Sequence, residues 1–121
     1  MRGKKIVLDL EFIPYRRKQE PYCVHEIIEI GAVALDADNE IYDEFQMYVK
    51  PQYGTVPPFV TAITGITNEM LVGQVSFSEA MQAFEAWLPQ EDSYRFYTWS
   101  GSDQHVFQAE AEWKERPLLG N

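Results

Sequence analysis

A chain of 121 residues is long enough for one domain with its own core and too short for two domains of ordinary size. Its 45% hydrophobic and 14% aromatic content excludes a disordered chain, and a lone cysteine, Cys23, excludes an internal disulfide and fits a reducing compartment. The net charge of −9 argues against a nucleic-acid partner for the chain as a whole.

The charge is unevenly placed. Arg2, Lys4, Lys5, Arg16, Arg17 and Lys18 are six of the ten basic residues and fall within the first 18 positions. Such a patch acts locally, within a Debye length of about 10 Å. The basic start is followed by only Ile6, Val7 and Leu8 before Asp9, too short an apolar run for a signal peptide. No apolar run approaches a membrane span. The expectation is a soluble, cytoplasmic protein with no membrane partner.

In chain order, Lys5–Phe12 reads as a buried strand. Residues 13–22, IPYRRKQEPY, read as a loop in which Tyr15 and Tyr22 alternate with Arg16, Arg17 and Lys18. Cations beside aromatic rings suit a single nucleic-acid strand, and equally a solvated surface loop. Cys23–Leu35 is a second strand, rich in Ile and Val. DADNE at 36–40 has turn composition, and Ile41–Val49 suits a third strand. The three form an antiparallel meander. Lys50–Pro58 is a proline-rich loop. Gly65 ends a helical turn, and Thr67 caps the next. Ser76 and Glu79 form a capping box for a helix carrying Phe77, Ala80, Met81, Phe84, Trp87 and Leu88 at helical spacing, ended by Pro89. Tyr94–Trp99 is a fourth strand, and a last helix spans about 103–115, with Val106, Phe107 and Trp113 as packing residues. The order gives an α/β fold, a mixed sheet flanked by helices.

The first strand poses a chemical question. Asp9 and Glu11 are two residues apart, so both point to one face, with Cα atoms about 6.6 Å apart, while Leu8, Leu10 and Phe12 take the other face. Two carboxylates at that spacing are either solvated at a strand end or share a divalent cation, which relieves their repulsion and their burial cost.

The segments VLDLEF, EIIEIGAVALD, YVKP, TAITGIT, SFSEAMQAFEAWL and FYTWSGSDQHVF, in that order, resemble the DEDD-type 3′–5′ exonucleases, in the branch of ribonuclease T, proofreading domains and histone-mRNA-type exoribonucleases. The resemblance runs from Lys5 to about Glu110. It implies a ribonuclease-H-like fold: three antiparallel strands, then helices and a parallel strand. It implies that Asp9, Glu11 and Asp103 are the catalytic acids that hold Mg²⁺ or Mn²⁺, as a two-metal site in the complete domain. It implies that Thr64, Gly65 and Ile66 contact the terminal nucleotide at the 3′ end of single-stranded RNA or DNA, and that 5′-mononucleotides are released.

Two departures stand out. The family's third motif, a His or Tyr base followed by an aspartate, has no match after Asp103. His105 falls too early for that base, and His25 lies at the start of the second strand; both read as surface or structural residues. The chain therefore resembles a single exonuclease-like domain over residues 1–121 that lacks its C-terminal part and is nearly inactive by itself. After Glu11, where the family has small hydroxyl residues, this chain has Phe12-Ile13-Pro14. Phe12 is then a core residue or a stacking surface for a base, and Arg16 and Arg17 are candidates for phosphate contact. An open edge on the fourth strand would favour a homodimer. The alternative to an exonuclease is a catalytically impaired module on the same fold that binds nucleic acid or protein.

Overall fold

The computed structural model describes residues 4–16, 23–90, 94–98 and 109–110. The described strands are β1 (Lys4–Arg16), β2 (Cys23–Leu35), β3 (Ile41–Tyr48) and β4 (Tyr94–Thr98). They form a mixed sheet of order β3-β2-β1-β4, antiparallel except for the parallel β1–β4 pair. The helices are α1 (Pro58–Thr64), α2 (Asn68–Leu71) and α3 (Phe77–Trp87). This is the ribonuclease-H-like arrangement expected from the sequence.

One boundary differs in substance. Residues 13–16, expected to open a loop, belong instead to β1, which pairs Ile13 with Glu26 and Pro14 with His25. Proline lacks the N–H that a second neighbour would need. Among the described residues β4 pairs with β1 only as far as Leu8, and past that rung β1 accepts the proline. Ile13 is also fully buried, which favours the extension. At the far end of β3, Val49 leaves the strand and makes an isolated bridge to Val75. Trp99, Val106, Phe107 and Trp113 lie outside the described residues, and of the last helix only residues 109 and 110, which are helical, lie within them.

Each face of the sheet has its own core. Leu8, Leu10 and Ile30 pack beneath α3 with Phe77, Ala80, Met81 and Phe84, and Phe45 and Trp87 extend this core in a run of aromatic contacts with centroids 5.4–5.8 Å apart. A second cluster contains Ile13, Ile28, Val56, Val60, Ile66 and Leu71. Ile13 shares the face of Asp9 and Glu11, so α1 and α2 pack on the acid-bearing side, beyond Glu11.

A bulge allows both cores to draw on β2. Glu11 pairs with Glu29 but Phe12 pairs with Ile27, leaving Ile28 as the extra residue. Ile27 then joins the α3 core and its neighbour Ile28 the second core. Between β2 and β3, Asp36 Oδ1 accepts from the N–H groups of Asp38 and Glu40, and Asn39 takes a positive φ of 64° that asparagine tolerates.

The start of α3 has a pH signature. Glu79 N–H donates to Ser76 Oγ at 3.2 Å, and Ser76 N–H donates to the Glu79 carboxylate at 3.0 Å. The bond from the Ser76 backbone, then that with its side chain, holds the Glu79 carboxyl below its ordinary value of 4.5. A carboxyl depressed by folding stabilises the fold above its unfolded pKa, and that contribution is lost as pH falls through the folded value. Wild type should therefore melt above Glu79→Gln at neutral pH, with the gap closing below about pH 4.5. A gap of constant size down to pH 3, read by circular dichroism, would refute this account.

Candidate active site

Asp9 and Glu11 stand on the face of β1 opposite α3. Asp9 is exposed and Glu11 half-buried. Both acids are paired to β2, which fixes the backbone, yet the acid-bearing face is open at Asp9. The two carboxylates are thus held by a rigid ladder and remain accessible from solvent.

Two residues of β2 shape this face. Gly31 pairs with Asp9, and a Cβ there would lie 3.3 Å from the Asp9 carbonyl oxygen. The missing side chain permits the close approach of the strands and leaves space beside the Asp9 carboxylate. Glu29 sits directly opposite Glu11, and its Oε2 accepts from Gln46 Nε2 at 2.8 Å. Like charges on facing rungs repel, and a bound cation would remove that penalty. These are hard oxygen donors, the kind that Mg²⁺ and Mn²⁺ favour. Among the described residues no three His, Cys, Asp or Glu side chains converge closely enough to form a complete metal site. Asp103, assigned to the metal by resemblance, lies outside the described residues, as does Arg17.

The remaining candidates are distributed as follows. Phe12 lies on the opposite face from the acids, packs against the α3 core and meets His25 edge-on with centroids 5.3 Å apart. Arg16 closes β1. Thr64 and Gly65 end α1, Gly65 in the left-handed conformation at φ 80° with its N–H donating to the Thr61 carbonyl. Thr64 Oγ1 donates to the Val60 carbonyl and accepts from Ile66 N–H, and Thr61 Oγ1 donates to the Ile66 carbonyl. The Thr64–Ile66 corner is therefore locked by its own hydrogen bonds. Ile66 is only 2% exposed, so its side chain belongs to the second core and its exposed chemistry is that of its backbone. The adjacent Ile63, which sequence reasoning did not single out, is 80% exposed and offers apolar surface at this corner.

Sequence reasoning also passed over Gly31 and two buried acids, Glu26 and Glu110, which are 0% and 1% exposed. Glu110 Oε1 accepts from Ile27 N–H at 2.6 Å, tying the helical residues 109–110 to β2 beside the bulge. The signal for Gly31 was a glycine inside an Ile/Val strand, which marks a close backbone approach. For Glu26 it was an acid embedded in an apolar run, the same anomaly that drew attention to Asp9.

A four-stranded mixed sheet with two acids on the open face of its central strand and helices on both sides belongs to the ribonuclease-H-like class. Known proteins place it further. Residues 6–112 match the exonuclease family RNase_T. A DNA polymerase III subunit epsilon of Pasteurella multocida is 37% identical over 81 residues, 67% of this chain and 32% of that protein. The human 3'-5' exoribonuclease 1 is 33% identical over 82 residues, 66% of this chain and 24% of that protein. The nuclease domain of 3'hExo, a DEDDh family member bound to rAMP, has the same fold, with a TM-score of 0.78 at 23% identity over 95% of this chain and 61% of that one. This chain belongs to the RNase_T exonuclease family, and it spans about a third or less of the length of these two curated relatives.

Proposed function

We propose that the chain forms the metal-holding and 3′-end-binding part of a 3′–5′ exonuclease domain acting on single-stranded RNA or DNA. The observation that carries the reading is the pair Asp9 and Glu11 on one open face of a central strand, with Gly31 clearing the space beside them. Asp9, Glu11 and Asp103 would hold Mg²⁺ or Mn²⁺, which supplies an activated water and neutralises charge on the phosphodiester. The Thr64–Gly65 corner and Ile63 would receive the terminal nucleotide, and Arg16 and Arg17 the phosphates behind it. The product would be a 5′-mononucleotide. The single cysteine and the absence of a long apolar run support a cytoplasmic setting.

A second reading is a catalytically impaired module on the same fold that binds nucleic acid without cutting it. An oligonucleotide labelled at its 5′ end, incubated with the chain and Mn²⁺, distinguishes the two. Slow shortening from the 3′ end in single-nucleotide steps supports the exonuclease. Retention of the strand with no shortening supports the binding module. Internal cuts, or no binding of Mn²⁺ or strand, would sink both.

Self-association is part of the proposal. β4 is an edge of the described sheet, with Phe96 37% and Tyr97 43% exposed, and an apolar edge invites pairing with a second copy. Light scattering should show mass rising with concentration. A monomer at every concentration would rule the pairing out.

A further inference from the structure

Glu26 is a carboxylate with no apparent business in a core. It lies on β2 opposite Ile13, two positions along β1 from Glu11 and on the same face as the acids. It is completely buried. A charge so placed is costly unless its oxygens are satisfied. They are satisfied by backbone: the N–H groups of Gln52 and Gly54 donate at 2.7 Å each, one to either oxygen, and that of Tyr53 at 3.2 Å to both. Three successive amides thus converge on one side chain.

The segment held in this way leads directly to the nucleotide corner. Two residues beyond Gly54, Val56 is clamped by Asn68, whose Oδ1 accepts from Val56 N–H at 2.7 Å and whose Nδ2 donates to its carbonyl at 3.1 Å. Pro57 and Pro58 then open α1 with a fixed backbone, and α1 ends at Thr64 and Gly65. The chain from Gln52 to Gly65 is therefore stiff; Glu26 is its polar anchor to the catalytic strand pair, beside the apolar packing of Val56 and Val60 with Ile13 and Ile28.

We infer that Glu26 is a positioning residue for the 3′ nucleotide: by gripping the 52–54 amides it sets the distance between the Thr64–Gly65 corner and the carboxylates of Asp9 and Glu11. It holds no metal and touches no substrate. Its loss should weaken nucleotide binding and spare metal binding. The inference rests on the exonuclease reading.

Calorimetry on the 121-residue chain tests it with two ligands, Mn²⁺ alone and 5′-AMP in the presence of Mn²⁺. Glu26→Gln keeps the volume but turns an amide N–H₂ toward backbone donors. Glu26→Asp keeps the charge on a shorter stem. The expected result is a loss of about tenfold or more in 5′-AMP affinity for both variants, with Mn²⁺ affinity unchanged. Met81→Ala, in the core on the opposite face, supplies a destabilised control, and it should bind 5′-AMP as wild type does. Amide resonances of Thr64 and Gly65 should move in Glu26→Asp even if Glu26→Gln folds poorly. Unchanged 5′-AMP affinity in both Glu26 variants, an equal loss in Met81→Ala, or a parallel loss of Mn²⁺ would overturn the positioning role. Wild-type chain that binds neither Mn²⁺ nor 5′-AMP would overturn the exonuclease reading itself.

Discussion

Asp9→Asn is expected to lower Mn²⁺ affinity by more than about 100-fold while leaving the fold intact. The carboxylate is exposed, so its removal opens no cavity. It also removes a charge whose Cα lies about 6.6 Å from that of Glu11, a repulsion of about 0.6 kcal/mol at that spacing in water. The melting temperature of the variant without metal should therefore equal or slightly exceed that of wild type, and added Mn²⁺ should raise the wild-type value alone. Most substitutions that abolish a function also cost stability, so this opposite pattern is diagnostic of a site held against electrostatic strain. Unchanged Mn²⁺ binding in Asp9→Asn would remove the metal reading.

Phe84→Ala is expected to have the largest effect on stability. Phe84 is fully buried and lies within 5.4–6.3 Å, centroid to centroid, of Phe45, Trp87 and Phe96. Its ring contacts reach from α3 to both β3 and β4. Truncating a buried phenylalanine costs about 3–5 kcal/mol, against a total of about 5–15 kcal/mol for a typical domain. The melting temperature should fall by roughly 10 °C or more. The acids lie on the other face of the sheet, so Mn²⁺ affinity measured well below the transition should survive. A loss under about 1 kcal/mol in urea titration would mean that α3 does not seal this face as described.

The sequence revealed most where one local rule acted alone. Ser76 and Glu79 started α3 by reciprocal hydrogen bonds, and Gly65 stopped α1 through its left-handed backbone, so both boundaries were readable. The shared face of Asp9 and Glu11 followed from strand alternation. Pro14 misled, because its place in a strand depends on which neighbour is missing at that rung, a fact about tertiary pairing. The bulge at Ile28 was also hidden: two adjacent apolar residues, Ile27 and Ile28, do not declare which face each will take. Glu26 was missed because its partners are amides of a loop some 26 residues away, and backbone donors carry no sequence signature.

The parallel pairing of Lys4 with Tyr94 has a consequence for synthesis. The meander β1–β2–β3 leaves the ribosome well before the strand that completes β1's other side. At roughly 5–20 residues per second, the stretch from Tyr48 to Tyr94 takes about 2–9 s to make. During that interval the Lys4–Leu8 edge of β1 presents unmatched backbone groups. Its lysines at positions 4 and 5 then guard the newborn chain against its neighbours: Lys5 Nζ donates to Asn39 Oδ1, and the Lys4 ammonium sits 4.9 Å from the Tyr42 ring centroid. Both contacts lie wholly within the part made first, so the charges that discourage wrong pairing are in place before the right partner exists.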